Sequence, residues 1–147
     1  MELLNAFKRV ELFRGLTEAQ LRRVAEISQR EAYNKGEAIC HQGDPGDAMY
    51  VIADGQVEIM VRDRTGESVS AVYLGEGQVV GEMALVDQGP RSATVLAVMD
   101  NTIIYSIPNT SFDSLFQQDT AIGFVMMRNM AQDLSFKLRH HDADLSG

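Results

Sequence analysis

The stretch VGEMALVDQGPRSATVLA, residues 80–97, decides how the rest of the chain reads. Arg91 is the only Lys or Arg between Arg64 and Arg128, an interval that holds seven carboxylates, so this cation is placed sparingly. A strand ending near Val80 runs into Gly81, which lets the backbone turn and leaves room for a close neighbour. Residues 82–85, EMAL, suffice for one helical turn whose first N–H groups converge on one spot and attract an anion. Pro90 stiffens the approach to Arg91, whose fork fits two phosphate oxygens at once. Ser92 and Ala93 are small and leave their N–H groups accessible. Glu82 repels a second anion, yet it accepts a hydrogen bond from a neutral hydroxyl such as a ribose 2′-OH. A nucleotide whose phosphate folds back onto its own sugar meets both demands.

Outward from this stretch the period is two. MYVIADGQVEIMVRD reads as two strands around Asp54-Gly55, a hairpin signal because a tight turn needs positive φ. A second hairpin turns near Thr65-Gly66. RSATVLAVMD and TIIYSI add two more strands, and glycines recur at 36, 43, 46, 55, 66, 75, 77, 81 and 89. Short strands broken at such intervals predict an antiparallel β-barrel or jelly roll. Helical spacing flanks it. Thr17 and Gln20 form a capping box before Leu21, Val24 and Ala25. Asn109 is read as the cap of TSFDSLFQQ, and a longer helix runs from about Ala121 to Arg139, followed by a frayed polar tail. The expected class is α+β in one domain, 1–147: helical over 1–30, barrel over 31–108, C-terminal helices over 109–140.

The 147 residues are 45% hydrophobic and 23% charged, a globular balance. A net charge of −8 with no basic run argues against nucleic acid as a partner. No apolar run reaches the length of a membrane span, and the single cysteine, Cys40, forms no internal disulfide, which fits a cytoplasmic setting. His41, His140 and His141 show no ligand spacing with carboxylates, so neither a metal nor a cofactor is expected. No nucleophile–base pair is legible, and no enzymatic activity is expected. The last helix carries two apolar faces. Ile122, Val125, Met126 and Met130 suit the barrel, while Phe124, Met127, Ala131, Leu134 and Leu138 keep a 3-4-3-4 seam, which suits a homodimer through 121–139 or simple burial.

GEMALVDQGPRSATVLA closely resembles the phosphate-binding cassette of cyclic nucleotide-binding domains. That pattern is G-E-x-A-L, a short spacer, then an optional P, R-[STA]-A-[TS]-V-x-A. The resemblance extends through LFRGLT, KGEAICHQGDPGDAMYVIADGQVEI and the helix after FDSLF, covering roughly residues 7–139. It implies a double-stranded β-helix (jelly roll) flanked by N-terminal helices and a long C-terminal helix. Arg91 would bind the exocyclic phosphate oxygens and Glu82 the 2′-OH. Gly81, Met83, Ala84, Ser92 and Ala93 would supply backbone or close contacts. Ile59, Ala71, Val72 and Leu74 would lie near the base, with Phe136 to Arg139 of the last helix as a lid. Ser92 directly after the arginine favours cAMP over cGMP, although its hydroxyl can make the guanine contact too. The resulting expectation is a stand-alone regulatory domain for signal transduction, acting on a protein effector through its C-terminal helix. Two alternatives stay open: a ligand-free interaction module on the same fold, or Glu82 and Arg91 as a plain buried ion pair. A third is the sensor half of a transcription regulator.

Overall fold

Two strands that are apolar on both faces organise the molecule. In β3 of the eight strands, Ala48–Asp54, and β8, Thr102–Pro108, nearly every side chain is buried. Met49, Val51, Ile103, Tyr105 and Ile107 face one core, shared with the helices, while Ile52 and Ile104 face a second core inside the barrel. A strand covered on both sides reads as a continuous apolar run. The computed structural model describes residues 2–146, and the side chains of all of these but 2, 71 and 141–146. The remaining strands are β1 Gln29–Tyr33, β2 Ala38–Cys40, β4 Gln56–Arg62, β5 Ser68–Gly75, β6 Val79–Val80 and β7 Thr94–Ala97. They form two four-stranded antiparallel sheets of order β1-β8-β3-β6 and β2-β7-β4-β5. The fold is the expected antiparallel jelly roll with flanking helices.

The helices cover the first sheet. Helix α1, Glu2–Lys8, a 3-10 turn at Glu11–Phe13 and α2, Glu18–Glu26, lead in, and α3, Asn109–Gln118, and α4, Thr120–Ser146, follow the barrel. Thr17 caps α2 with the reciprocal Gln20 contact the sequence predicts: Gln20 N–H donates to Thr17 Oγ1 at 3.2 Å and Thr17 N–H to Gln20 Oε1 at 2.9 Å. Ile122, Met126 and Met130 of α4 sit in the helix-side core with Phe7, Phe13 and Phe112. Each such side chain contributes about 1.5–3 kcal/mol by burial, which fixes the first half of α4 to the domain.

Four expectations change. The Asp54-Gly55 turn is not a hairpin, because β3 and β4 belong to different sheets and do not pair. Only Gly55 has positive φ, at 89°, while Asp54 stays extended at the end of β3, so the chain turns a corner and enters the opposite sheet. The Thr65-Gly66 turn does join paired strands, β4 and β5. Asn109 is not a cap: Pro108 holds that position, and buried Asn109 donates from Nδ2 to the Gly46 carbonyl at 2.9 Å. Strand structure begins at Gln29 rather than after residue 30, and α4 continues past Arg139 to Ser146.

A Cβ at Gly55 would lie 2.6 Å from Thr102 Oγ1 and 2.9 Å from Thr102 Cα. Gly55→Ala therefore combines left-handed strain of about 1–2 kcal/mol with a clash across the corner. The expected outcome is a lower urea midpoint at unchanged slope, read by circular dichroism.

Candidate functional site

Residues 81–93 form a loop clamped between two strand ends. Strand β6 pairs Val79 and Val80 with Val51 and Tyr50 of β3 and then stops. Gly81 follows in the left-handed region, φ 78° and ψ 25°, and redirects the chain into a 3-10 turn, Glu82–Leu85. The Ala84 N–H donates to the Gly81 carbonyl at 3.0 Å, and Ala84 is buried. Past the turn, Asp87 Oδ1 accepts the Gly89 N–H at 2.9 Å, which folds the spacer on itself. The return leg is tied to the β2–β3 loop. Arg91 N–H donates to the Asp44 carbonyl at 2.7 Å, Gly43 N–H to the Arg91 carbonyl at 2.9 Å, and Gly46 N–H to the Gly89 carbonyl at 3.2 Å. Gly46 is needed for that approach, since a Cβ there would sit 2.6 Å from the Gly89 oxygen.

This backbone frame aims the Arg91 side chain inward, and the residue is only 9% exposed. Nη2 donates to the Ala48 carbonyl at 2.7 Å and lies 3.4 Å from the Tyr50 hydroxyl, and Cζ stands 5.0 Å from the Tyr50 ring centroid. Asp47 Oδ1 is 3.7 Å from Nη2 but 80% exposed. Nε is buried with no hydrogen-bond partner among the described residues. Burial pushes the Tyr50 hydroxyl and the Cys40 thiol up in pKa, while the Arg91 charge pulls both down. With burial the larger effect, both stay neutral near pH 7.

Arg91 and Glu82 border one pocket of about 360 Å³, together with Gly81, Met83, Ala84 and Ser92. Ala93, next in the chain, is not among the lining residues. Gly46, Asp87, Gly89 and Pro90 complete the wall. Of these, only Pro90 had been singled out from sequence, and for stiffness alone. The two side chains on which the sequence reading turned thus share a hollow, and the ion pair of Arg91 is with Asp47 rather than Glu82.

Glu82 also borders a second cavity of about 230 Å³, between the barrel, residues 10–14 and α4. Leu74, Asn129, Met130 and Asp133 line it. Of the residues assigned to the base, Ile59 and Leu74 pack into the barrel interior and Val72 is exposed. The side chain of Ala71 lies outside the described residues. Phe136 is 60% exposed and stacks edge-on with His140, in neither cavity. Among the described residues no group of three His, Cys, Asp or Glu can hold a metal ion, and no helix is long and apolar enough to cross a membrane.

The profile of the cyclic nucleotide-binding domain matches residues 30–119 of this chain, which takes in both sheets and the whole clamped loop. The chain belongs to the cyclic nucleotide-binding domain family. It is 32% identical over 138 residues to the cyclic AMP receptor protein of Thermus thermophilus, an alignment covering 91% of this chain and 60% of that protein. It is 38% identical over 96 residues to the cAMP-dependent protein kinase type II regulatory subunit of Drosophila melanogaster, covering 65% of this chain and 24% of that one. The crystal structure of the Thermus thermophilus catabolite activator protein superposes with a TM-score of 0.81 at 32% identity, over 92% of this chain and 62% of that chain. The chain thus spans less than two thirds of these relatives' length. Within the family frame, Tyr50, Asp47 and the Ala48 carbonyl were missed from sequence. They lie more than forty residues before Arg91 and meet it because the returning leg of the loop is hydrogen-bonded to residues 43–46, just ahead of β3.

A Cβ on Gly81 would collide with Arg91 Nη1 and lie 3.2 Å from the Ala48 carbonyl. Gly81→Ala is expected to destabilise the domain by about 1–2 kcal/mol through its positive φ. It should also displace the guanidinium, which a crystal structure of the variant would display as Arg91 Nη2 separated from the Ala48 oxygen.

Proposed function

We propose that this domain binds a cyclic nucleotide, cAMP in preference to cGMP, and reports its occupancy through α4. The observation that carries the reading is the Arg91 guanidinium: buried, with Nε unpartnered among the described residues, on a pocket wall shared with Glu82. A buried charge with a spare donor is costly, and an anion that accepts from it removes the penalty. The alternative of a plain Glu82–Arg91 ion pair has Glu82 neutralise Arg91, and the 3.7 Å contact of Arg91 with Asp47 argues against that arrangement. In the proposed pose the cyclic phosphate meets Arg91 and the ribose hydroxyl meets Glu82. Ser92 is exposed on the same wall, and a serine rather than a threonine after the arginine supports the adenine preference that the family resemblance implies. The names of the Thermus receptor and the Drosophila subunit, both tied to cAMP, support the same base. The role is regulatory and non-enzymatic, and it is exercised in the cytoplasm.

The output runs through α4. Its residues 131–140 are all exposed, including Leu134, Phe136 and Leu138. A helix segment with little tertiary packing is marginal in water. The seam of Phe124, Ala131, Leu134 and Leu138 supports pairing with a second copy or an effector protein, whereas Met127 is partly buried in the domain's own core.

Titration calorimetry with cAMP and cGMP tests the reading: heat with cAMP and weaker binding of cGMP are expected, and no binding of either at millimolar ligand refutes it. Arg91→Ala is expected to lower cAMP affinity at least tenfold, because a hydrogen bond to a charged group contributes about 1.5–3 kcal/mol. Sedimentation of the full chain at rising concentration checks the helix. A dimer is expected, and Leu134→Glu with Leu138→Glu should return it to monomer without loss of nucleotide affinity.

A further inference from the structure

Tyr50 has no role in the reading above, although its side chain touches the residue on which that reading depends. Strand β3 alternates, so Met49 and Val51 point into the helix-side core while Tyr50 and Ile52 point into the barrel. There the Tyr50 ring lies below the Arg91 guanidinium, with Cζ 5.0 Å from its centroid, and its hydroxyl stands 3.4 Å from Nη2. The same ring thus engages the cation through its face and through its oxygen. Among the described residues no other contact does both. The Ala48 carbonyl fixes one donor and leaves the guanidinium plane free to rotate about it. Asp47, 80% exposed at 3.7 Å, is screened by water. Gly81 forms an edge that Nη1 approaches closely, but it offers the cation no attraction.

An arginine side chain has four rotatable bonds, and ordering them at the moment of binding subtracts from affinity. We propose that Tyr50 is the positioning residue for Arg91. Its ring face and hydroxyl hold the guanidinium plane before an anion arrives, spend Nη2 inside the barrel and leave Nε for the incoming anion. The proposal rests on the nucleotide reading for its effect on affinity. The ordering of Arg91 does not depend on that reading.

Arginine side-chain NMR on the full chain, with 15N and 13C label, tests the ordering without ligand. The Arg91 δ-protons of the unmodified chain should be shifted upfield by the ring, and its Nε–H should be rigid by heteronuclear relaxation. An unshifted, mobile Arg91 overturns the proposal at once. Tyr50→Phe keeps the ring and should keep the shift. Tyr50→Leu, or Tyr50→Met where the leucine variant does not fold, should abolish the shift and free the Nε–H; an Arg91 signal unchanged in the folded variant overturns the proposal.

Calorimetry with cAMP reads the consequence. Affinity should fall about tenfold in the ring-less variant and no more than about threefold in Tyr50→Phe. The same ring removal in an Arg91→Lys background separates positioning from a general structural role. Little further loss is expected if Tyr50 acts through the guanidinium; a repeat of the tenfold loss overturns the proposal. If the unmodified chain binds neither cAMP nor cGMP while Arg91 is ordered by Tyr50, the nucleotide reading fails and the positioning stands.

Discussion

A guanidinium that is 9% exposed, inside a protein of net charge −8, constrains everything around it. Its charge cannot be neutralised by deprotonation, so the fold has to supply acceptors. It does so only in part, with one strong bond to the Ala48 carbonyl, a long contact to Tyr50 and a distant carboxylate at Asp47. The geometry of the loop follows from this. Gly81 has no side chain because Arg91 Nη1 lies where a Cβ would be, and Gly46 has none because the returning leg of the loop crosses it. These glycines are spatial requirements of one buried cation and of the backbone that carries it.

Glu82 links that cation to the rest of the molecule. Its side chain borders the Arg91 pocket on one side and, on the other, the cavity lined by Asn129, Met130 and Asp133 of α4. Under the proposed function, a ligand that draws Glu82 toward a sugar hydroxyl would change what the second cavity contains, with no need for the ligand to touch α4. In the proposed mechanism this is the source of differential affinity between helix positions, and a ligand can shift an equilibrium only by that difference. The exposure of Phe136 makes the point sharper. Phe136 is 60% exposed and does not cover the barrel, so the lid that the family resemblance implies is not formed by it in this conformation.

Local signals were legible in the sequence and long-range ones were not. The Thr17–Gln20 box, the Thr65-Gly66 hairpin and the turn after Gly81 depend on residues within a few positions, and each appears as read. The clamped loop was legible for the same reason, since most of its pattern is contiguous. Asp54-Gly55 misled because a left-handed glycine serves a hairpin and a corner between sheets equally well. Which one forms is decided by whether β4 finds β3 or β7, and β7 lies some forty residues on. Asn109 misled because a cap and a buried amide use the same side chain, and its true acceptor, the Gly46 carbonyl, is 63 residues away. Tyr50 was invisible as a partner of Arg91 because it reads as one more aromatic residue in an apolar strand.

The way α4 is attached limits how it can move. Asn129, 6% exposed, donates from Nδ2 to the Leu12 carbonyl at 2.8 Å and the Arg14 carbonyl at 2.9 Å, and Arg14 Nη2 donates to Gln132 Oε1 at 2.8 Å. Sliding α4 past residues 11–14 would break these bonds and strand buried polar groups, at about 1–3 kcal/mol for each one left unsatisfied. Rotating the two together breaks none of them. Residues 12–14 and α4 around residues 129–132 are therefore tied to one another. In the proposed mechanism the cavity beside Glu82, bounded by residues 10–14, α4 and β6, is the gap across which these tied segments move. In that mechanism the exposed outer part of the helix would turn a small displacement near residue 129 into a larger one farther along, because a rigid rod amplifies motion in proportion to its length. A helix buried along its whole length could not do this; here residues 131–140 are all exposed, with Gln132 held by Arg14.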